Sequence, residues 1–272
     1  MRLDLHIHTV ASDGAWTPEE VVDGAAQGRL DVVAVADHDT VAGVEAAVRT
    51  GRAVNVHVVP ASELSSTRAG REIHILGLFI DPTADAILAH QERAHGLRMG
   101  RMARIVERLR GQGLDVTLNA VLDVAGPRRH MVGRPHLARV LVDSGYVASV
   151  PEAFDRYIGD AHDAFLPAAL MDPVDAVDVV VRSGGIPVWA HPPGDLVEPL
   201  LGDLVAAGLK GLEVYRPMTR PAQLQRLKSF ADSAGLFVSG GSDWHGPERG
   251  EPLGSFFVTG EEVAKLLEAG GL

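Results

Sequence analysis

Two histidines stand two residues apart near the start of the chain, in Asp4-Leu5-His6-Ile7-His8-Thr9-Val10-Ala11-Ser12-Asp13-Gly14. Residues two apart on a strand point to one face. His6 and His8 therefore present two imidazoles side by side, with Asp13 in the loop beyond them. Such a trio can hold a cation, or it can be two partly buried histidines and a turn aspartate. A second ionisable group ends the apolar run Val33-Ala34-Val35-Ala36-Asp37-His38-Asp39-Thr40. There His38 is a candidate ligand, while Asp39 or Thr40 shapes the turn and caps the next helix. Glu63 comes after a third apolar run. His74 lies in Ile73-His74-Ile75-Leu76-Gly77, and His191 in Val188-Trp189-Ala190-His191-Pro192. Either is also readable as a satisfied core histidine. Ser239-Gly240-Gly241-Ser242-Asp243-Trp244-His245-Gly246 adds Asp243 and His245, again two apart. The glycines beside them permit close approach of a phosphate or an ion.

Each constellation falls at or near the end of a strand-like run. Unrelated core histidines would not gather at the same end of successive strands, so together they read as one metal-binding site. The chain has no cysteine, which excludes disulfides and thiolate ligands. Imidazole and carboxylate donors suit Mn, Zn or Fe, and Mg where oxygens dominate.

The elements that must position these residues are visible as seven apolar runs, at 2–7, 31–36, 54–61, 73–79, 185–190, 211–215 and 236–240. Between many of them lie helix starts. Thr17-Pro18-Glu19-Glu20 is a capping box with proline in the first turn. Asp172-Pro173-Val174-Asp175 repeats the logic, and Thr259-Gly260-Glu261-Glu262 is expected to open the last helix. Alternation of strands and helices predicts an α/β fold with a parallel sheet. The alternation stops between about 82 and 166, where only helical signals occur: 84–109, 135–144 and 149–157. This stretch reads as a helical insertion. Its segment from Arg93 to Arg110 holds six arginines and one acid. Arg101, Arg104 and Arg108 share one helical face, opposite Met102, Ile105, Val106 and Leu109. That arginine face is either solvated or turned to a polyanion.

Composition bounds the rest. A chain of 272 residues, 46% hydrophobic, suits one large α/β domain or a barrel with a small insertion. No apolar run approaches the length of a membrane span, so no membrane partner is expected. Met1 leads straight into a strand-like run, and neither a signal peptide nor an oxidising compartment is implied; a cytoplasmic setting is compatible. The net charge of −11 argues against binding duplex nucleic acid, yet a phosphate can still be bound where metals supply the positive charge.

The ordered motifs Asp4–Gly14, Asp37–Thr40, Glu63 with His74-Ile75-Leu76-Gly77, Ala190-His191-Pro192 and Ser242–His245 resemble the series of the PHP (polymerase and histidinol phosphatase) family over nearly the whole chain. They are most similar to a subgroup of small bacterial phosphoesterases. That subgroup carries a helical insertion with a segment like Gly133-Arg134-Pro135-His136. The resemblance implies a distorted (β/α)7 barrel made of 1–82 and 166–272, with a small α-helical domain at 83–165 covering the active site. It implies three divalent metals per chain, with Mn favoured. His6, His8, Glu63 and Asp243 would hold one, Glu63, His74 and His191 a second, and Asp13, His38 and His245 the third. Glu63, Asp243 and His191 would be catalytic, and Arg134 and His136 would bind substrate. The implied activity is hydrolysis of a phosphomonoester of a small nucleotide, favouring a 3′,5′-bisphosphonucleotide, with short single-stranded RNA 5′ ends as a further substrate. Histidinol phosphate is the alternative substrate, and a non-catalytic metal-binding module the alternative of another class. No obligate protein partner is implied. Arg216, after Glu213-Val214-Tyr215, departs from the family pattern and bears on substrate detail.

Overall fold

The computed structural model describes residues 1–126, 132–168, 170–248 and 251–272. The chain divides into two compact units, Met1–Gln91 with Leu170–Leu272, and Glu92–Ala169.

The first unit is built on one eight-stranded sheet whose strands, numbered along the chain, begin at Arg2, Val32, His57, Arg71, Ile186, Gly211, Phe237 and Val258 and lie in the order β7-β6-β5-β4-β3-β2-β1-β8. β1 (Arg2–Ile7), β2 (Val32–Val35), β5 (Ile186–Ala190), β6 (Gly211–Tyr215) and β7 (Phe237–Gly240) match the apolar runs seen in the sequence. A bridge between Ile7 and Trp244 brings the two ends of the sheet together, giving a nearly closed barrel. Two of the helices between the strands start as the sequence expects, and α2 (Val44–Val54), α8 (Val197–Ala207) and α9 (Pro221–Ala234) also lie between strands. Thr17 caps α1 (Pro18–Gln27) by accepting from Glu20 N, and the Glu20 side chain returns the bond. Asp172 caps α7 (Pro173–Arg182) through Val174 N. Apolar side chains from both faces of the sheet, among them Leu3, Leu5, Leu64, Ile75, Trp189 and Leu212, fill the core.

Three expectations are corrected. The sheet is not all parallel: β3 (His57–Arg68) runs seven residues past the expected end at Ala61 and forms an antiparallel hairpin with β4 (Arg71–Leu78), which also pairs antiparallel with β5. The turn needs positive φ at both central residues, and Ala69 and Gly70 adopt +53° and +76°. Glu63 accordingly lies inside β3 rather than after it. Second, an eighth strand, Val258–Thr259, pairs antiparallel with β1. Third, Thr259 does not open the last helix. It ends β8, and Glu262 Oε2 accepts its N–H and hydroxyl across a turn, so that α10 begins only at Ala264.

The division between the units falls inside α3 (Asp85–Gly111). The second unit contains the rest of α3, α4 (Leu118–Ala125), α5 (Arg134–Asp143), α6 (Val150–Ala153) and a π-helical turn at Phe154–Ile158. It has its own core, in which Met102, Ile105, Val106 and Leu109 pack with Val121, Leu137 and Leu141. The arginine face of α3 is partly structural. Arg101 Nε donates to the Leu166 carbonyl at 2.6 Å, and Arg108 Nη1 to those of Asp163 and Phe165, both at 2.8 Å. Only Arg104 of the three is left to the solvated-face reading by its exposure alone. Among the described residues, no helix is long and apolar enough to cross a membrane.

Candidate metal centre

The backbone first sets the cluster. His6 is the penultimate residue of β1 and His8 stands one residue past its end, on the same face. Gly241, the residue after β7, lets the Asp243 segment pass directly over β1: a Cβ there would sit 2.3 Å from His6 Cβ. Asp243 N then donates to His6 O and His8 N to Trp244 O, both at 2.9 Å. On the other side, Glu63 N donates to Asp37 O and Asp39 N to Glu63 O. This fixes His38 beside Glu63. His74 sits in β4 opposite Ser65 on one side and Ala190 on the other, one residue before His191. Three of these residues sit in left-handed backbone, Asp39 (+53°), His191 (+31°) and Asp243 (+57°). Non-glycine residues there cost of order 1–3 kcal/mol each, and such strain collects at functional sites.

Every sequence-predicted metal ligand is brought to this place. His6, His8, Glu63 and Asp243 form one group, His8, Asp13, His38 and His245 a second, and His38, Glu63 and His74 a third, with the donor atoms of each within 4.8 Å of one another. His191 joins through Nε2, 2.9 Å from Glu63 Oε1, which also lies 2.9 Å from His74 Nδ1. Glu63 Oε2 faces His6 Nε2 at 3.2 Å, His8 Nε2 at 3.3 Å and His38 Nδ1 at 3.2 Å. Asp13 Oδ2 lies 3.2 Å from His245 Nε2.

Charge in this pocket is frustrated for protons. Burial disfavours the imidazolium at His8, but hydrogen bonds to Asp243 and Glu63 outweigh it and raise His8 to about 9. Burial wins at His38, which falls to about 3. Burial also works against the Glu63 carboxylate, yet His38, His6 and His74 hold it well below the usual carboxylate range. Neighbouring imidazoles are thus driven in opposite directions around one anion.

The donor set fits divalent cations on geometry. Glu63 Oε2 and His38 Nδ1 are both buried without a hydrogen bond, although they lie 3.2 Å apart. His6 Nε2 and His8 Nε2 approach to 3.1 Å. The Nδ1–H of His6 donates to Glu213 Oε1 at 2.8 Å, which leaves the Nε2 lone pair turned into the cluster. That carboxylate-to-imidazole-to-metal arrangement orients a metal-binding histidine. Buried atoms such as Glu63 Oε2 and His38 Nδ1, which converge without forming a hydrogen bond, are satisfied by a cation between them.

The supporting shell was not read from the sequence. Glu213, fully buried in β6, also accepts the His191 N–H through Oε2 at 2.7 Å. Asp37 accepts from Thr9 N, Thr9 Oγ1 and Ser12 Oγ at 2.6–2.7 Å and so shapes the loop that carries Asp13. Asp4, raised to about 6 by burial, accepts from Ser242 N. Arg216 reaches both Glu213 and Asp243, at 3.4 and 3.5 Å. The available signal was a lone acid inside an apolar strand: Glu213 between Leu212 and Val214 must have a partner if the strand is central.

The predicted substrate residues lie in the second unit. Arg134 Nη1 donates to Asp160 Oδ1 at 2.6 Å and to Ile158 O at 3.1 Å, and its guanidinium lies over the rings of Phe154 and Phe165. His136 Nδ1 accepts from Gly133 N at 3.0 Å, closing the first turn of α5.

No protein-family model matches the sequence. Individual proteins do. The chain is 34% identical to a 5′-3′ exoribonuclease of Haemophilus influenzae over 251 residues, covering 90% of each. It is 32% identical to a 3′,5′-nucleoside bisphosphate phosphatase of Chromobacterium violaceum over 253 residues, 91% of this chain and 88% of that one. Its fold superimposes on a chain from Bifidobacterium adolescentis, assigned as a metal-dependent phosphoesterase, with a TM-score of 0.85 and 32% identity, covering 97% and 95% of the two chains. With the His, Asp and Glu cluster at the rim of a nearly closed barrel, these likenesses give one answer: the chain belongs to the PHP family of metal-dependent phosphoesterases.

Proposed function

We propose that this phosphoesterase hydrolyses a phosphomonoester of a small nucleotide, with a 3′,5′-bisphosphonucleotide as the favoured substrate and short single-stranded RNA 5′ ends as a further one. The observation that carries the reading is the overlap of the three donor groups. His8 and His38 each belong to two of them, and so does Glu63. Adjacent cations sharing ligands match the dianion of a terminal phosphate better than a single ion does. The relatives named above act on nucleotides or RNA.

Under this proposal three ions, with manganese favoured and Zn, Fe or Mg also compatible with the imidazole and carboxylate donors, are held by His6, His8, Asp13, His38, Glu63, His74, His191, Asp243 and His245. When bound, they neutralise phosphoryl oxygens and make the attacking water more acidic. The protein's part is orientation and charge. Glu63 offers two oxygens to opposite sides of the cluster, and Glu213 fixes the tautomer of His6 and the backbone of His191. Arg216 ties Asp243 in place.

Arg134 is proposed as the phosphate anchor, with His136 beside it. Its partner Asp160 has a side chain 74% exposed, so the pair is worth at most about 1 kcal/mol. A phosphate dianion, taken bidentately by the planar fork, is the stronger partner. Phe154 and Phe165 hold the guanidinium flat in readiness. A cytoplasmic setting belongs to the same proposal, since a chain without cysteine makes no demand on an oxidising compartment.

The test is a phosphate-release screen over nucleotides, bisphosphonucleotides, 5′-phosphorylated oligoribonucleotides and histidinol phosphate. The proposal expects the highest kcat/KM on a bisphosphonucleotide. Preference for histidinol phosphate would overturn it.

A further inference from the structure

Beside the cluster, within the first unit, a cavity of about 480 Å³ opens onto Asp243 and His245. Its size lies in the range of small-molecule sites, about 300–1,000 Å³. Beyond these two cluster residues the lining is largely apolar and includes Pro217, Met218, Trp244, Leu253 and Phe256.

Met218 is the informative residue. Thr219 N donates to Arg216 O at 3.3 Å, so residues 216–219 make a turn with proline second and Met218 third, at φ +62°. That third position calls for glycine or asparagine, because a side chain there is strained. A methionine side chain that is 98% exposed gains nothing from burial to offset the strain. Fold stability therefore gives no reason for methionine here, whereas contact with a ligand does. The turn is also not free to drift. Its first residue, Arg216, is the arginine that reaches both Glu213 and Asp243, which fixes the rim relative to the ligands of the cluster.

We propose that this cavity receives the planar ring of the leaving group, the nucleobase under the function proposed above, against Met218, Pro217 and Phe256. The inference rests on that function for the identity of the ring. An apolar, sulfur-bearing clamp grips any aromatic face, so it selects bases as a class rather than one base.

The experiment compares adenosine 5′-monophosphate with ribose 5-phosphate, which lacks the base, on the enzyme as purified. Binding is followed by quenching of tryptophan fluorescence, Trp244 being part of the wall, and phosphate release is measured in parallel. Wild type should bind the nucleotide about tenfold or more tightly than the sugar phosphate, the scale of one stacked base. Met218→Gly relieves the turn and should keep its melting temperature while losing most of that preference; Phe256→Ala should lose it too. Unchanged preference in Met218→Gly, or equal losses on both ligands, would overturn the proposal. Failure of the nucleotide function looks different. Wild type would then release phosphate from an aryl phosphate and not from nucleotides, and a fall in its aryl-over-glycerol phosphate preference on Met218→Gly would still support the cavity as a ring site.

Discussion

Replacing Glu213 by glutamine probes the cluster without touching a metal ligand. The carboxylate accepts two buried hydrogen bonds, from His6 Nδ1 at 2.8 Å and from His191 N at 2.7 Å. Glutamine keeps one acceptor oxygen. Its NH2 must then face a donor, either the imidazole N–H or the backbone N–H. Facing His6, it forces the ring to the other tautomer, with a proton on Nε2 where a metal would bind. Facing His191, it leaves a buried N–H unsatisfied, at a cost of about 1–3 kcal/mol. The residue is fully buried, so water does not relieve either conflict. Mutation of such a supporting carboxylate lowers metal affinity or activity by about 10–100-fold. The assay is retention of Mn against a graded chelator, with kcat/KM on a phosphomonoester measured on the same samples. Glu213→Gln should give up metal at a chelator level about one to two orders lower than wild type, and activity restored by excess Mn would place the defect in affinity. A mutant that matches wild type in both readouts would mean that Glu213 does not hold the ligands of the cluster in place.

Three further outcomes are expected. Glu63→Gln should abolish turnover and retain the wild-type circular dichroism spectrum, because β3 keeps its ladder while the shared anion is lost; near wild-type activity would exclude a bridging role. Arg134→Ala should lower kcat/KM for the phosphorylated substrate by about 10–100-fold, the worth of a charge-assisted bidentate contact, with metal content unchanged and only partial rescue by lysine. Loss of preference for a bisphosphonucleotide over a monophosphate would assign it to the non-reacting phosphate, and no loss on either substrate would make it structural. Asp172→Ala removes the cap of α7 and the partly exposed pair with Arg68, together about 1–2.5 kcal/mol, read by thermal melting. The hydrogen bond from Arg68 holds the Asp172 carboxyl below its usual range. Its stabilisation is therefore present above the unfolded pKa, near 4, and lost as pH falls through the lower folded pKa. The gap between mutant and wild type should accordingly narrow on acidification from pH 6 to 3, and a gap that widens would contradict the sign.

The gathering of the candidate ligands was legible because most of them are charges or imidazoles at or just past the end of an apolar run, a place where burial without function is costly, whereas Glu63 and His74 turn out to lie inside β3 and β4. Helix starts were legible where local chemistry decides them, as at Thr17 and Asp172. The β3–β4 hairpin was not. Ser62, Ser65, Ser66 and Thr67 make its second half look like a loop, and only pairing with β4 turns that polar stretch into a buried strand. Thr259 and Glu262 carried the chemistry of a cap, but strand pairing of Thr259 with Arg2 prevailed. The roles of Glu213, Asp37 and Asp4 depend on partners up to 238 residues away, and no local pattern encodes those. The same holds for Arg101 and Arg108, whose acceptors are carbonyls more than fifty residues on.

All of the proposed chemistry depends on one cluster of nine side chains holding the divalent ions. Anomalous diffraction at the manganese edge, from crystals of the protein equilibrated with Mn, locates those ions without reference to activity. Peaks are expected enclosed by His6, His8, Glu63 and Asp243, by Glu63, His74 and His191, and by Asp13, His38 and His245. Crystals without an anomalous peak inside this cluster, or with peaks only elsewhere, would show that the ions are not held there.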